Sequence, residues 1–541
     1  MASQRRRLAQ KGVSMLVGTA SMVLLIPSAG LAIDAALLYY TKARIQGSVD
    51  GAALAAARSL SLGATTAAQS ATAKQNAVNW FYANFPTTLW GTSNTQMDQS
   101  SVTVFDDPNN ANLRNVTVTA KTTVPTIFMR WFNKPSTDVG SIGNASRRDA
   151  VVMMVLDRSG SMGATCNDLK AAAKVFTGQF AAQRDRIGMV TFSDGTFVAS
   201  APSTAFRTTL GYDDGTTVGA GAIDNIGCQG GTNTAAALSV GYNELYKMNL
   251  PGAFNVLFLE TDGLPNTMTL NWWDTAASTV GLVAATSNCT DKNGNKLSVG
   301  GWNVITNQRD WNNTNGYAMG PNGFMADIPP GAVGSLYSSD PVVASPGTGT
   351  FQALFRPWHT SSNQGATSEP ALNGCAFSSG TRISDLAWIP ATDVYGNAIN
   401  PATNPYKGGV SPLDAKGRLD FTVGTANQKW QRYHNAALNA TDNAAYRART
   451  NGTIPATMFV IGLGGNNGGG PPIDHTLLQR IANDPAADGF NSPAAYNACA
   501  TTPNCVNYLD QPQGTYIFSV DHTELKSAFL KLSSQILRLS K

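Results

Sequence analysis

From Gly12 to Ile33 the chain has no charged side chain, and Arg5, Arg6, Arg7 and Lys11 stand directly before that stretch. At helical rise it covers about 33 Å, enough to cross the roughly 30 Å hydrocarbon core of a bilayer. A basic start ahead of an apolar span predicts a cytoplasmic N-terminus and an exported remainder. Gly30-Leu31-Ala32 loosely resembles the small-x-small pattern at which signal peptides are cut. The apolar run is nevertheless longer than a signal peptide's usual core of about 7–15 residues, so we read an uncleaved, single-pass anchor.

A chain of 541 residues is too long for one ordinary core, so several domains, or one core with a large insertion, are expected. Charged residues make up only 13%, and Gly, Asn, Ser and Thr supply the polarity instead, a composition suited to export. Net charge is a modest +4, and no basic run interleaved with aromatics follows the extreme N-terminus, which excludes a nucleic-acid partner. Six cysteines, none in a CxxC pair, fit an oxidising compartment such as a bacterial periplasm. Closeness in sequence suggests Cys499 with Cys505. Zinc is the alternative, disfavoured by the ligand spacing.

Behind the span, Ile33, Leu37, Tyr40, Ile45, Val49 and Ala52 recur near helical spacing, so one long helix continues out of the membrane. A second helix is expected over roughly 67–85. Alternation at Val102/Val104 and Val116/Val118 marks two strands, with turn chemistry at Asp107-Pro108-Asn109-Asn110 between them. The boundaries are thus 1–62 for the basic start, anchor and continuing helix, and 63–147 for a small α+β segment of pilin-like plan. The alternative is a tether with a few stray strands.

From 148 to 541 the pattern changes. Val151 to Leu156 is an unbroken apolar run, as in a strand buried on both faces of a parallel sheet. Helix over 169–184, strand over 187–192, helix over 235–246 and strand over 254–259 follow. The series resumes with helix 429–449, strand 457–463, helix 477–482, strand 516–520 and helix 524–539. Alternating strands and helices mean an α/β, doubly wound, mostly parallel sheet. Between them lies an insertion, about 265–428, rich in Asn, Gly, Pro and Trp, where short strands, packed aromatics and a Cys289–Cys375 staple are expected.

Ligands of an open α/β sheet bind outside the carboxyl ends of its strands, so the loops after Leu156 and Leu259 share one edge. One carries Asp157-x-Ser159-x-Ser161, the other Thr261-Asp262-Gly263, and Gly231-Thr232 lies between them just ahead of a helix. The same edge would bring Cys166 and Cys228 together. Carboxylate and hydroxyl oxygens without sulfur or imidazole suit a hard divalent cation, Mg²⁺ first, with Mn²⁺ and Ca²⁺ as alternatives. Neutral hydroxyls leave such a cation under-neutralised, with appetite for one external carboxylate.

These three motifs, in this order and strand context, resemble the metal-ion-dependent adhesion site (MIDAS) of von Willebrand factor A (vWA) domains. The resemblance implies that Ser159, Ser161 and Thr232 coordinate directly, and Asp157 and Asp262 directly or through water. A second resemblance covers the N-terminus. Ala32-Ile33-Asp34, Leu38-Tyr39-Tyr40, Lys42-Ala43-Arg44-Ile45-Gln46 and Val49-Asp50-Gly51 with the following Ala-rich run look like the TadE/TadG-like segment of tight-adherence (Tad, Flp) pilus assembly proteins. Together they imply a TadG-like protein of the bacterial inner membrane, its bulk in the periplasm or at the cell surface, binding pilus subunits or Tad assembly proteins. One departure concerns processing: pilins cut by prepilin peptidase have Glu five residues after the cleaved Gly, and counting from Gly12 gives Val17.

Other motifs are weaker. Gly462 to Gly470 is glycine-rich after a strand, but no Gly-Lys-Ser/Thr follows, so no nucleotide is expected. His359, His434, His475 and His522 form no nucleophile-base-acid pattern, and the chain is read as non-enzymatic. Trp272, Trp273, Trp302, Trp311 and Trp358 read as small-core aromatics of the insertion. The insertion leaves the sheet at the metal edge, where it either shapes the ligand site or packs aside. The rival reading is a tethered surface adhesin that pilus assembly does not need. A chelatase-type partnership with an ATPase conflicts with export.

Overall fold

The charge-free stretch lies within a single helix, α1 (Ala2–Ser59), in the computed structural model of the chain. The structure describes residues 2–193, 196–228, 232–265, 267–268, 335–339, 352–356, 388–389, 391–393, 397–402, 406–415, 417, 419–420, 423–464, 473–487, 490 and 510–540. Two compact units result, Met1–Arg148 and Asp149–Ser540.

In the first unit, α1 has two halves of different character. Met22, Val23, Leu24 and Leu25 stand exposed, whereas Ile45, Val49, Ala52, Ala53, Ala56 and Ala57 are buried at three- and four-residue spacing. Among the described residues it is the one helix long and apolar enough to cross a membrane. Its buried half packs against α2 (Thr66–Asn84), through Ala73, Ala77 and Phe81, and against a four-stranded antiparallel sheet. At the centre of that sheet runs β3 (Asn110–Pro125). β1 (Ser93–Gln96) and β2 (Val102–Asp107) share one of its edges, and β4 (Ser136–Arg148) takes the other. Period-two alternation turns Val116, Val118, Ala120 and Val124 of β3 inward. The long helix leaning on a small sheet is the plan expected from the sequence. β4 is an addition to it, because its inward residues Val139, Ser141 and Gly143 are mostly small or polar while Ile142 points out. The helix demands this: a Cβ on Gly143 would lie 2.9 Å from the carbonyl oxygen of Val49.

The second unit alternates strand and helix. Its strands are β5 (Ala150–Asp157), β6 (Arg186–Phe192), β7 (Thr196–Ser203), β8 (Phe254–Thr261), β9 (Thr457–Leu463) and β10 (Thr515–Ser519). Its main helices are α3 (Cys166–Gly178), α4 (Thr234–Met248), α5 (Ala426–Thr450), α6 (His475–Ala482) and α7 (Leu525–Leu539). The strands lie in the order β10-β9-β8-β5-β6-β7, parallel except for β7. Every residue of β5 and β8 is buried, as both-face burial requires. Val151, Met153 and Val155 pack with α4, α5 and α6 on one face; Val152, Met154 and Leu156 pack with α3 and α7 on the other. This is the doubly wound, mostly parallel α/β sheet expected.

Two local features differ from expectation. β7 adds an antiparallel edge strand, in which Pro202 is tolerated because an edge leaves backbone donors unused. α3 ends at Gly178, not Arg184, and only glycine fits at that last position, because a Cβ there would lie 2.0 Å from the Asp213 carbonyl oxygen. The chain then turns so that the Asp185 carboxylate accepts from the amides of Ala181 (2.7 Å) and Ala150 (2.9 Å), anchoring the start of β5. Within the insertion, short strands pair at 267–268, 335–339 and 352–356, and at 388–389 with 419–420. The expected Cys289–Cys375 and Cys499–Cys505 pairings, and the five insertion tryptophans, lie outside the described residues.

Cys166 and Cys228 form a disulfide across a sequence separation of 62, with Cα atoms 6.0 Å apart. A loop of that length constrains the unfolded chain strongly, so Cys166→Ser with Cys228→Ser is expected to lower stability by about 2–4 kcal/mol, read as a fall in the urea midpoint. An unchanged midpoint would show that the bridge is incidental.

Candidate metal centre

Parallel pairing of β5 with β8, in the register Leu156 to Glu260, sets the loops leaving them side by side. Asp157, at the end of β5, is fully buried, and its Oδ1 accepts from the Ser159 amide at 2.8 Å, which folds the loop back over the strand end. Its Oδ2 accepts from the Thr261 hydroxyl at 2.5 Å, locking the two strand ends together. Ser159 Oγ and Ser161 Oγ lie 2.9 Å apart, so alternate residues of the loop point the same way. Asp262 Oδ1 meets both, at 2.7 Å from Ser161 Oγ and 3.4 Å from Ser159 Oγ. The third segment is fixed from below by the Asn233 amide, which donates to the Ser193 carbonyl at 2.9 Å, while the Asn233 side chain caps α4. A Cβ built on Gly263 would lie 3.4 Å from Thr232 Oγ1 and 3.9 Å from Ser161 Oγ, so both hydroxyls flank that glycine. Asp157, Ser159, Ser161, Thr232 and Asp262 therefore converge at one strand edge. Gly231 lies outside the described residues.

The electrostatics of this cluster are strained by like charge. Burial, reinforced by Asp262, raises the Asp157 carboxyl far above the usual carboxylate range, against the bonds from Thr261 and Ser159. Burial likewise raises Asp262, opposed by the bonds from Ser161 and Ser159. Sequence reasoning passed over Glu260, whose carboxyl is raised by burial and then by the charges of Asp157 and Asp262. Its only signal was one acidic residue inside the apolar strand 254–261. Thr261 was also assigned no role, although its hydroxyl orients Asp157.

Such a cluster has the chemistry of a hard-cation site: carboxylates short of a counter-charge, with hydroxyls converging beside them. Among the described residues no group of three or more His, Cys, Asp and Glu is arranged to hold a metal, so the hydroxyls would have to complete the coordination. Cys166 follows Ser161 by five residues and Cys228 precedes Thr232 by four, so the disulfide ties together the two loops that supply these hydroxyls. Buried Arg158 adds a second link, its Nη1 donating to the Gly227 carbonyl at 3.4 Å.

A pH dependence with a definite sign follows for the metal-free protein. The folded state holds a proton on Asp157 up to about 7, whereas the unfolded chain releases it near pH 4. The folded state binds the extra proton, so the contribution of Asp157 to stability is full below about pH 4 and is lost as pH rises to about 7. Thermal unfolding in EDTA should therefore give a lower midpoint at pH 8 than at pH 5, and saturating Mg²⁺ should reverse the order. A midpoint in EDTA that rises with pH across this window would contradict the description.

Residues 152–264 match the von Willebrand factor type A domain family, and residues 12–59 match the Flp pilus-assembly TadE/G-like family. No curated protein matches the chain. Among solved structures it is similar to the PilB minor pilin from Streptococcus sanguinis, at 12% identity and TM-score 0.33 over 84% of this chain and 80% of that one. It is similar to the vWF domain of the type V pili tip protein Mfa5 from Porphyromonas gingivalis, at 16% identity and TM-score 0.31 over 73% of this chain and 98% of that one. The pilus adhesin SpaC from Lactobacillus rhamnosus GG is similar at 11% identity and TM-score 0.30, over 81% of this chain and 36% of that one. By its two family matches, the chain joins a TadE/G-like Flp pilus-assembly segment to a von Willebrand factor type A domain.

Proposed function

We propose that the protein is a non-enzymatic component of Tad/Flp pilus assembly, anchored in the bacterial inner membrane by α1, whose vWA domain binds a protein partner through a divalent metal. The observation that supports this reading most directly is the convergence of Asp157, Ser159, Ser161, Thr232 and Asp262 at the carboxyl edge of adjacent parallel strands. Ser159, Ser161 and Thr232 would hold Mg²⁺ directly, with Asp157 and Asp262 bound directly or through water. The bound cation supplies an open coordination position for an acidic side chain of the partner. The surrounding chain orients that position: Thr261 fixes Asp157, and the Cys166–Cys228 bridge holds the loops in place. The partners proposed for this site are pilus subunits or Tad assembly proteins facing the periplasm.

The test deletes the gene and restores either the wild-type chain or Asp157→Ala, counting surface pili by electron microscopy and scoring attachment. Loss of pili in both the deletion and the variant, at normal protein level, is the expected outcome. Persistent pili with failed attachment would instead mean a tethered adhesin.

A further inference from the structure

The connection between β3 and β4 is unusual for a surface loop. Ile127, Trp131 and Phe132 are 53%, 84% and 65% exposed, an apolar cluster with basic Arg130 and Lys134 beside it. The loop is not loosely held. Residues Met129–Phe132 form a single 3₁₀ turn, closed by Asn133 in the left-handed region (φ 61°). The amides of Ile127, Phe128 and Met129 all donate to the carboxylate of Asp34 in α1, at 2.7, 2.9 and 2.6 Å. Asp34 is fully buried by this contact. One helical turn earlier, the ring of Phe128 lies on Gly30 so closely that a Cβ there would come within 2.2 Å of it.

These contacts fix the height of the loop along α1. Gly30 lies inside the charge-free stretch, and Asp34 is the first charged residue after it. A carboxylate is costly in hydrocarbon even when amides bind it, so Asp34 marks the level at which the helix leaves the apolar layer. The loop that Asp34 grips is therefore held at the membrane–water boundary. There the indole of Trp131 has an apolar body for the acyl chains and an N–H for the headgroups, which is the reason tryptophan concentrates at that depth. Arg130 and Lys134 are placed to meet lipid phosphates.

We infer that the Ile127–Phe132 loop is a membrane-interface wedge, seated among the phospholipids of the leaflet from which α1 emerges and clamped to the helix by Asp34 and Gly30. This rests on reading α1 as a membrane anchor. The wedge makes the helix exit and the sheet one rigid bearing on the bilayer, so the first unit cannot swing freely about its span.

The test uses the full-length chain in phosphatidylcholine and phosphatidylglycerol vesicles, with a benzophenone-bearing phenylalanine analogue in place of Trp131. In a control the analogue replaces Phe105, which pairs with Asn115, ten residues from the Pro125 end of β3 and so about 33 Å away. After flotation and irradiation, mass spectrometry should find a phospholipid adduct at position 131 and none at 105. Asp34→Ala and Gly30→Leu should each still float yet lose the adduct at 131. A chain that does not float overturns the anchor reading and the wedge with it. A floating chain whose position 131 cross-links to protein, or to nothing, overturns the wedge while the anchor stands. An adduct undiminished in both variants overturns the clamp.

Discussion

Asp157→Ala is expected to abolish the stabilisation of the protein by Mg²⁺ while making the metal-free protein more stable than wild type. If the proposed site holds the ion, wild-type protein at a Mg²⁺ concentration a hundredfold above its dissociation constant should gain about 2.7 kcal/mol, because an ion bound only by the folded state stabilises it by that much. The variant should gain none. In EDTA the order inverts, since wild type must hold Asp157, Asp262 and Glu260 in a buried region where Asp262 raises the cost of ionising Asp157, and both raise that of ionising Glu260. Removing one carboxyl relieves that repulsion. A merely structural aspartate would behave differently: Asp157→Ala would then destabilise equally with and without metal, through the lost bonds from Ser159 and Thr261. Thermal unfolding of both proteins, in EDTA and in a Mg²⁺ titration, separates the two. Equal Mg²⁺ shifts in wild type and variant would remove Asp157 from the site.

The largest purely structural loss is expected from Asp442→Ala, at about 3–5 kcal/mol. Asp442 of α5 and Arg480 of α6 pair fork to fork, Nε to Oδ1 at 3.1 Å and Nη2 to Oδ2 at 2.7 Å, with side chains only 9% and 6% exposed. The guanidinium also lies 4.4 Å from the ring centroid of Tyr406. Truncating the acid strips a buried cation of this bidentate carboxylate, and the loss is a large fraction of the roughly 5–15 kcal/mol that holds a domain together. Asp442→Leu combined with Arg480→Met should cost much less, because it removes both charges while keeping volume. Urea unfolding of the single and double variants checks this; a double variant no more stable than Asp442→Ala would mean that packing, not charge, dominates the pair.

Much of this architecture was legible in the residues themselves. The runs Val151 to Leu156 and Phe254 to Leu259 announce strands buried on both faces, because only a covered parallel sheet removes every side chain from water. Acidic and hydroxyl residues directly after such runs then share one edge, since parallel strands end on the same side. The Cys166–Cys228 pairing followed from that placement, and the structure forms it. Glu260 stayed hidden because the larger influences on it, burial and the charge of Asp157 on β5, come from packing across strands, and its sequence neighbour Asp262 contributes less. The strand β4 stayed hidden for a related reason: its buried face is built of Val139, Ser141 and Gly143, which have no apolar period.

By itself, then, the sequence determined the apolar helix, the alternating α/β series and which edge would gather Asp157, Ser159, Ser161, Thr232 and Asp262, because hydrophobic period and strand direction are local properties. Only the tertiary structure decided that β4 must be small where α1 approaches, that Glu260 joins the buried carboxylates, and that Asp34 grips a loop more than ninety residues away. Close approach, desolvation and long-range hydrogen bonding arise between segments, and no single segment records what will be packed against it.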